Sequence, residues 1–387
     1  MASIISELLD KGFVLPDHGN STLSAVRSLA ERKSDEKKLF MFIDGFGYNV
    51  IERYQSICDS SQLFKKSDVQ RITTQFPSTT PNILANFNSG LETSNHGIVG
   101  GNIPVSEDGT IAGSLALATP KALGVSGDPR IMGLEASEVY PKPLLINSIK
   151  ERYSFAVVTH EYISNTDLNL FFFGKGYAIP YKSWEDGLAR TAEAMRKEEK
   201  DFIYFYYDGL DHEEHFFRLE SKECEKELAR IIGGIDTLLA AATECGYQIV
   251  ITTDHGHMPK DTGVDLNRLG IMEYLDTHPW GEPRSAFLKV NDGKESEFED
   301  FFEKNISDKA MLVESEELIS AGLFGGRSVG KELRYRFGTH VMLPFDGVLF
   351  DYVYPNVKPE TLPKLKSHHG GLDQKEMYVP VIRYNLE

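Results

Sequence analysis

Short apolar runs recur along the chain and alternate with segments of helical periodicity. The runs are LFMFI from Leu39 to Ile43, SFAVVT ending at Thr159, DFIYFYY ending at Tyr207 and YQIVITT ending at Thr253. Each run is short and almost continuously apolar, which is typical of a strand covered on both faces. The pattern predicts the strands of a largely parallel sheet.

The clearest helical pattern is KECEKELARIIGGIDTLLAAATECG, which begins at Lys222. Its apolar residues recur at helical spacing, and they are Leu228, Ile231, Ile232, Ile235, Leu238 and Leu239. Gly246 follows as a helix stop. Buried strands that alternate with helices indicate an α/β fold, a three-layer α/β/α sandwich around a mostly parallel sheet.

The same patterns suggest how the chain is divided. We predict a helical extension over residues 1–37, a core over 38–265 and 340–387, and a small α+β subdomain inserted at 266–339. PRSAFLKVNDGKESEFEDFFEKN predicts a strand followed by a helix, and YRFGTHVMLPFDGVLFDYVYPN predicts a hairpin. A Gly- and Pro-rich stretch over 104–147 is a candidate lid beside the site.

Composition narrows the class of protein. The 387 residues are 41% hydrophobic and 11% aromatic, enough for a sizeable core. A net charge of -17 argues against binding of a nucleic-acid polymer, which needs a basic face. A small phosphorylated substrate stays compatible with this charge, because bound metal ions locally reverse the sign of the field.

Three cysteines, Cys58, Cys224 and Cys245, are widely spaced and form no CxxC pair, which predicts free thiols in a reducing compartment. The first twenty residues lack the basic start and apolar run of a signal peptide, and no stretch of about 18 apolar residues occurs. We therefore expect a cytoplasmic protein without a membrane segment.

Polar residues follow three of the predicted strands. Asp44 follows the first, Asp208 the third with His212 four residues on, and the pair Asp254-His255 the fourth. Functional groups in parallel sheets collect beyond the carboxyl ends of the strands. Near the C-terminus, His368 and His369 precede a Gly-Gly turn and another apolar run. This constellation predicts a metal site.

The chemical types of the predicted ligands limit which metal ions the site can bind. Carboxylate oxygen with imidazole nitrogen suits zinc, manganese or iron better than calcium, which prefers oxygen alone. Two ions about 4 Å apart are a recurring device for phosphoryl transfer. Such ions also lower the pKa of a coordinated hydroxyl, which a serine or threonine needs in order to attack phosphorus.

The segment STTPN offers such a hydroxyl. Pro81 suits the first turn of a helix and Thr80 the cap before it, so one interpretation is a plain helix cap. Alternatively Thr79, at the positive end of the helix dipole, is a nucleophile beside a bound phosphate. The nearby metal-type residues favour the second interpretation.

These residues resemble the alkaline phosphatase superfamily, specifically its type I phosphodiesterase/nucleotide pyrophosphatase branch. The elements that carry the resemblance occur in the family's order from about residue 38 to the C-terminus. They are FIDGFG, TTPN, SGLETSNHGIVGGN, DGLDH, TDHGH and HHGG.

The resemblance implies two divalent ions, Zn²⁺ or Mn²⁺. One ion would be held by Asp208, His212 and His369, and the other by Asp44, Asp254 and His255, with Thr79 beside the second. Thr79 would attack the phosphorus and form a phospho-threonine that water then hydrolyses; Thr80 is the alternative nucleophile. Asn82 and the Thr79 amide would donate to the phosphoryl oxygen, and His96 would be structural.

Other polar residues near these motifs are not predicted to be metal ligands. We expect His215 and His257 to lie behind the ligands or on the surface, and Asp211 to be a solvated turn carboxylate. Tyr335 and Tyr352 could stack on a base, although core packing is the commoner role of such rings.

The predicted function is hydrolysis of phosphodiester or pyrophosphate bonds in small, nucleotide-like substrates. The alternatives are a phosphomonoesterase, a phosphonate hydrolase, a phosphomutase or a noncatalytic metal-binding relative. The TTPN segment has no arginine to clamp a dianionic monoester, which favours diesters.

Overall fold

The computed structural model describes residues 4–31, 37–117, 134–197, 199–355 and 357–384. Its strands are β1 (Lys37–Ile43), β2 (Ser67–Thr73), β3 (Asn102–Pro104), β4 (Ile111–Gly113), β5 (Phe155–His160), β6 (Ala178–Tyr181), β7 (Phe202–Tyr207), β8 (Tyr247–Thr252), β9 (Met258–Pro259), β10 (Thr262–Asp265), β11 (Trp280–Glu282), β12 (Ser285–Leu288), β13 (Ala310–Glu314), β14 (His340–Pro344), β15 (Val348–Asp351), β16 (Ser367–His368) and β17 (Tyr378–Tyr384).

Its α-helices are α1 (Ile4–Asp10), α2 (Thr22–Glu31), α3 (Tyr48–Arg53), α4 (Gln55–Ser60), α5 (Gln62–Lys66), α6 (Thr80–Ser89), α7 (Thr93–His96), α8 (Ala136–Val139), α9 (Leu144–Arg152), α10 (Asp167–Phe173), α11 (Trp184–Arg196), α12 (Gly209–Phe217), α13 (Lys222–Cys245), α14 (Leu266–Leu269), α15 (Glu295–Asn305), α16 (Ser315–Ala321) and α17 (Gln374–Met377). Short 3-10 helices span Ile271–Glu273, Lys331–Phe337 and Pro359–Thr361. None of the helices in the described ranges is both long and apolar enough to cross a membrane.

The central sheet has seven strands in the order β2-β17-β8-β1-β7-β5-β6. The pairs among β8, β1, β7, β5 and β6 are parallel, and β17 runs antiparallel to both β8 and β2. The four strands that the apolar runs predict are β1, β5, β7 and β8, so the predicted parallel sheet is confirmed.

Strand β1 shows why the fold has three layers. Its residues alternate between two cores: Leu39 and Met41 enter one, and Phe40 and Phe42 the other. Helices α11 and α13 cover the first face, whereas α2, α6, α9 and α10 cover the second. Because both faces are covered, the strands are apolar throughout rather than alternating. The predicted α/β/α sandwich is confirmed.

A second, six-stranded antiparallel sheet has the order β13-β14-β12-β11-β3-β4. Its strands come from residues 102–113, 280–288, 310–314 and 340–344, so they extend beyond the range 266–339 predicted for the inserted subdomain. The predicted strand and helix are β12 and α15. The predicted hairpin is wrong: β14 pairs with β12 and β13 on its two sides, whereas β15 pairs with β10 in another sheet.

Two further predicted segments occur only partly as expected. The N-terminal extension contains α1 and α2, and α2 packs on the core through Val26 and Leu29. The candidate lid at 104–147 includes residues 118–133, which lie outside the described residues. Its remaining parts form β4, α8 and α9.

A fully buried ion pair joins the second sheet to the C-terminal segment. Arg284 Nη2 donates to Glu376 Oε2 at 2.8 Å, and neither side chain is exposed. Arg284 Nη1 also donates to the Val348 carbonyl at 2.9 Å, and Glu376 Oε1 accepts from the Gly371 amide at 2.8 Å. The pair therefore holds the histidine-bearing segment against the second sheet.

Removing one partner of this pair should be strongly destabilising, since it leaves an uncompensated buried charge. We expect Arg284→Met to lower the free energy of unfolding by about 3–5 kcal/mol, measured by urea denaturation. The double variant Arg284→Met/Glu376→Met should recover much of that loss. Lys197→Met, which removes an exposed pair with Glu193, is the control and should leave stability nearly unchanged. Equal losses for Arg284→Met and Lys197→Met would contradict this role.

Candidate active site

Two buried carboxylates and one imidazole meet at the carboxyl ends of β1 and β8. Asp44 follows β1, and Asp254 and His255 follow β8; all three are buried. His255 Nε2 lies 3.4 Å from Asp254 Oδ2 and 3.7 Å from Asp44 Oδ1. The three predicted ligands of one ion are thus brought together.

One oxygen of each carboxylate is satisfied by the protein and the other is not. Asp254 Oδ1 accepts from the amides of Gly45 and His255, and Asp44 Oδ2 accepts from the Tyr206 hydroxyl at 2.6 Å. Asp44 Oδ1 and Asp254 Oδ2 have no partner among the described residues. Burial, and then the neighbouring Asp254 and Asp211 charges, hold the pKa of Asp44 well above its usual range. Both features are what a site for a cation requires.

A second cluster lies directly beside the first. Asp211, His255, His257 and His369 each present a ligand atom, and these atoms all lie within 4.8 Å of one another. His257 Nε2 is 2.7 Å from Asp211 Oδ1, and the rings of His255 and His369 stack at a centroid distance of 3.6 Å. His215 Nε2 is 3.5 Å from the same oxygen of Asp211.

The histidines of the second cluster share one orientation. In each, Nδ1 lies 3.0–3.2 Å from an oxygen atom. For three of them this atom is a backbone carbonyl oxygen: that of Ser367 for His215, of Gly256 for His255 and of Ser78 for His369. For His257 it is the Ser367 hydroxyl oxygen. A carbonyl oxygen only accepts, and the Ser367 hydroxyl already donates to the Glu214 carbonyl. Each of these Nδ1 atoms therefore donates its proton, which leaves a lone pair on the Nε2 atoms of His215, His255 and His369, while His257 Nε2 lies 2.7 Å from Asp211 Oδ1.

Burial keeps the imidazoles of His257 and His369 neutral. It lowers the pKa of His257 to about 4 and holds the pKa of His369 well below its usual range, where the neighbouring His255 adds to the shift. Neutral imidazoles with fixed tautomers and buried carboxylates form the donor set of a transition-metal site. The residues present therefore fit divalent ions.

Glycine allows the site loops to approach one another. Gly45 has a φ of +75°, and a Cβ there would stand 2.8 Å from the Asp211 Cα. A Cβ on Gly256 would stand 2.1 Å from the Lys375 carbonyl oxygen. Side chains at these two positions would separate the loops that carry the carboxylates and imidazoles.

The predicted ligands Asp208 and His212 are not brought to the cluster. Asp208 is the N-cap of α12 and accepts from the Tyr162 hydroxyl, and His212 is exposed with its ring against Phe216. Asp211 and His215 have the same D-x-x-x-H spacing, shifted by three residues. Because α12 begins at Gly209, its inward face carries Asp211 and His215 instead. Our interpretation of Asp211 as a solvated turn carboxylate was therefore wrong.

Both threonines of the TTPN segment lie at the site with different partners. Helix α6 begins at Thr80, so Thr79 rather than Thr80 is its N-cap residue. The Thr79 hydroxyl donates to Glu282 Oε1 at 2.6 Å, and the Thr80 hydroxyl lies 3.2 Å from His255 Nε2. The Thr79 amide donates to the Pro77 carbonyl at 2.9 Å, so it does not point into the site.

Asn82 and His96 make hydrogen bonds that stabilise the conformation of the TTPN segment and the residues after it. Asn82 Nδ2 donates to the Pro77 carbonyl at 2.7 Å, and its Oδ1 accepts from the Thr93 hydroxyl at 2.8 Å. The bond to Pro77 uses one of the two Nδ2 protons, and the donation from Asn82 to a phosphoryl oxygen stays a prediction. His96 lies 2.9 Å from Asn86 Nδ2 and accepts from the Ile98 amide, in agreement with the structural role predicted for it.

The sequence analysis missed Glu282 altogether. This residue ends β11 in the second sheet, and besides the Thr79 hydroxyl it accepts from the Gly101 amide at 2.6 Å. Burial raises the pKa of its carboxyl to about 7. No motif surrounds Glu282 in the sequence, so only the packing of the second sheet against the core identifies it.

Of the two C-terminal histidines, only His369 joins the cluster. His368 lies in β16, which pairs with β9, and its Nδ1 contacts the backbone of His369. The aromatic residues proposed to stack on a base lie elsewhere. Tyr335 donates to the Val105 carbonyl, and Tyr352 contacts His278.

Comparisons with known proteins agree with this geometry. A murine ectonucleotide pyrophosphatase/phosphodiesterase 5, inactive and in complex with AMP, is 16% identical with a TM-score of 0.66, and the alignment covers 91% of this chain and 88% of that chain. Phosphonoacetate hydrolase from Sinorhizobium meliloti 1021 in complex with phosphonoformate is 17% identical with a TM-score of 0.66, covering 91% and 90%. At this identity the likeness shows the fold.

A comparison with curated protein sequences finds no match. A family model for type I phosphodiesterase/nucleotide pyrophosphatase matches residues 39–370, a range that includes Asp44, Thr79, Asp211, Asp254, His255, Glu282 and His369. The chain therefore belongs to the type I phosphodiesterase/nucleotide pyrophosphatase family, within the alkaline phosphatase superfamily.

Proposed function

We propose that the protein is a two-metal hydrolase that cleaves phosphodiester or pyrophosphate bonds in small, nucleotide-like substrates. The observation that carries this proposal is the set of four Nε2 atoms, all with Nδ1 engaged elsewhere, beside three buried carboxylates. The family of the chain supports the reaction class, and the AMP and phosphonoformate ligands of the two structures support a small phosphorylated substrate.

The residues divide into two sets of ligands. Asp44, Asp254 and His255 would hold one ion, and Asp211, His215 and His369 the other, with His257 within reach of the second. Zn²⁺ or Mn²⁺ suits these donors. When bound, two such ions stabilise negative charge on phosphoryl oxygens and lower the pKa of a hydroxyl between them.

Thr79 is the proposed nucleophile. Its hydroxyl oxygen attacks the phosphorus while the hydroxyl proton passes to Glu282 Oε1; a new P–O bond forms, and the bond to the leaving oxygen breaks. Water then cleaves the phospho-threonine, which releases the phosphorylated product and restores the Thr79 hydroxyl. Glu282 fixes the direction of the hydroxyl through the 2.6 Å hydrogen bond. The N-terminus of α6, where Thr79 lies, favours an anion such as phosphate. The inactive murine protein, in which one threonine is replaced by alanine, supports a threonine nucleophile.

A cytoplasmic location remains part of the proposal. Its support is the three free cysteines, of which Cys58 and Cys224 are buried, since free thiols suit a reducing compartment.

The nucleophile is tested by paired threonine variants. We expect Thr79→Ala to lower the turnover of bis-p-nitrophenyl phosphate at least ~10³-fold while metal content stays near wild type, because only the attacking oxygen is lost. Thr80→Ala should retain most of the turnover. The reverse ranking would assign the nucleophile to Thr80, and an active Thr79→Ala would contradict a phospho-threonine at that residue.

Variants in helix α12 test which of its residues bind a metal ion. Asp211→Asn and His215→Ala should each weaken binding of one ion by about 10–100-fold, measured by mass-spectrometric metal analysis after dialysis against buffered zinc. His212→Ala, three residues before His215 on the exposed side of α12, is the matched control and should bind two ions normally. Loss of an ion from His212→Ala, with His215→Ala unchanged, would restore the assignment predicted from the sequence.

Metal removal should have two effects. A chelator should abolish hydrolysis of bis-p-nitrophenyl phosphate, and zinc or manganese should restore it. Removal of the metal should also lower the melting temperature of the protein, because the buried carboxylates then repel one another without a cation.

Faster cleavage of p-nitrophenyl phosphate than of the diester would favour a monoesterase, and metal binding without turnover of either substrate would indicate a noncatalytic relative.

A further inference from the structure

The ion that Asp211, His215 and His369 would hold has a further candidate ligand, the buried residue His257. His257 directly precedes β9, which pairs antiparallel with β16 so that Met258 lies opposite His368. The next positions of this ladder are His257 and His369, and their ring centroids are 5.2 Å apart. The pairing of β9 with β16 therefore brings His257 to the second cluster.

The hydrogen bonds of His257 leave its Nε2 atom without a proton. Its Nδ1 atom lies 3.1 Å from the Ser367 hydroxyl oxygen, and that hydroxyl donates to the Glu214 carbonyl at 2.5 Å. Nδ1 is therefore the donor, and Nε2 of the neutral, buried ring holds a lone pair. Nε2 lies 2.7 Å from Asp211 Oδ1, which is also an acceptor. Two acceptors at this distance repel each other unless a cation lies beside both.

A second buried carboxylate adds negative charge beside the same nitrogen atom. Glu214 Oε2 lies 3.8 Å from His257 Nε2, and the Glu214 side chain is fully buried. Neither carboxylate oxygen of Glu214 has a hydrogen-bond partner among the residues that the structure describes. Burial of such a group is costly unless positive charge lies nearby, so Glu214 also favours a cation next to His257.

Three imidazoles lie around the Asp211 carboxylate. The ring centroids of His215, His257 and His369 are 4.6–5.2 Å apart. Asp211 Oδ1 lies 2.7 Å from His257 Nε2 and 3.5 Å from His215 Nε2. The ligand atoms of Asp211, His257 and His369 all lie within 4.8 Å of one another. Three nitrogen donors and one oxygen donor complete the set of four that zinc prefers.

The two ions of the site would then differ in their number of protein ligands. The other ion has three, Asp44, Asp254 and His255, and no fourth His, Cys, Asp or Glu of the described ranges belongs to that group. Zinc with four protein ligands is typical of a structural site, whereas zinc with three keeps a position for water or substrate.

We propose that His257 is a direct ligand of the ion at Asp211, which gives that ion a closed set of four protein ligands. The inference rests on the proposed two-metal hydrolase and adds a difference between its two ions. The open position for a phosphoryl oxygen then lies on the ion at Asp44, while the closed ion contributes its charge.

A cysteine in place of His257 tests the contact directly. A thiolate binds zinc and cobalt, and a cobalt–sulfur bond gives a charge-transfer absorption band in the near ultraviolet. We expect this band in cobalt-loaded His257→Cys. The wild type with its three native cysteines, and His212→Cys on the exposed side of α12, are the controls and should lack the band.

His257→Gln separates a metal ligand from a residue that only orients Asp211. Its side-chain amide still donates hydrogen bonds but is a poor ligand for zinc. It should weaken binding of one ion by about 10–100-fold, as His257→Ala does, in metal analysis after dialysis against buffered zinc. Normal binding of two ions by His257→Gln, or cobalt-loaded His257→Cys without the band, would overturn the inference.

Inorganic phosphate tests whether the ligand set is closed. In Asp254→Asn, which lacks one ligand of the other ion, cobalt should occupy the closed set alone, and phosphate should leave its absorption spectrum unchanged. In Asp254→Asn/His257→Ala the vacated position should admit phosphate and change the spectrum. A phosphate-dependent spectrum of Asp254→Asn would show an open position on this ion and overturn the closed set.

Turnover of bis-p-nitrophenyl phosphate by the zinc-loaded wild type separates the two proposals. Turnover by the wild type, with no cobalt–sulfur band in His257→Cys, overturns the ligand inference alone. The band without turnover by the wild type overturns the hydrolase function, while His257 remains a ligand of the ion.

Discussion

Mutual repulsion of buried carboxylates is the constraint around which this structure is built. Asp44 and Asp254 lie directly after β1 and β8, Asp211 lies in α12, and all three are held together at one edge of the central sheet. No lysine or arginine is among the groups that shift the pKa of Asp44; burial and the other two carboxylates raise it. Such an arrangement is costly unless cations occupy it. The surrounding imidazoles, whose Nδ1 atoms all contact neighbouring oxygen atoms, are the complementary half of a cation site.

The framework that resists this repulsion lies outside the site. Gly45 and Gly256 allow the loops to approach, and the buried pair of Arg284 and Glu376 fixes the C-terminal segment that carries His369. Arg284 lies in the turn between β11 and β12 of the second sheet, and that sheet also supplies Glu282 to the Thr79 hydroxyl. The second sheet therefore contributes to the site instead of merely covering it.

Helix α12 illustrates where sequence reasoning about the site failed. The stretch from Asp208 to His215 contains two overlapping D-x-x-x-H spacings, and the spacing alone does not distinguish them. The residue at which the helix begins decides which pair faces inward, and that depends on how β7 ends and on the packing of Leu210. Asn82 is a related case, because its side-chain amide donates to the Pro77 carbonyl in the loop that carries Thr79.

The sequence by itself determined the sheet, its parallel strands and the aspartates at their ends, because apolar runs and helical periods are local properties of the chain. The motifs around Asp44, Asp254, His255 and His369 likewise indicated the family. Only the tertiary structure decided the rest: which face of α12 meets the cluster, and that Glu282 reaches Thr79. These depend on contacts between segments far apart in the chain, and no local pattern encodes such distances.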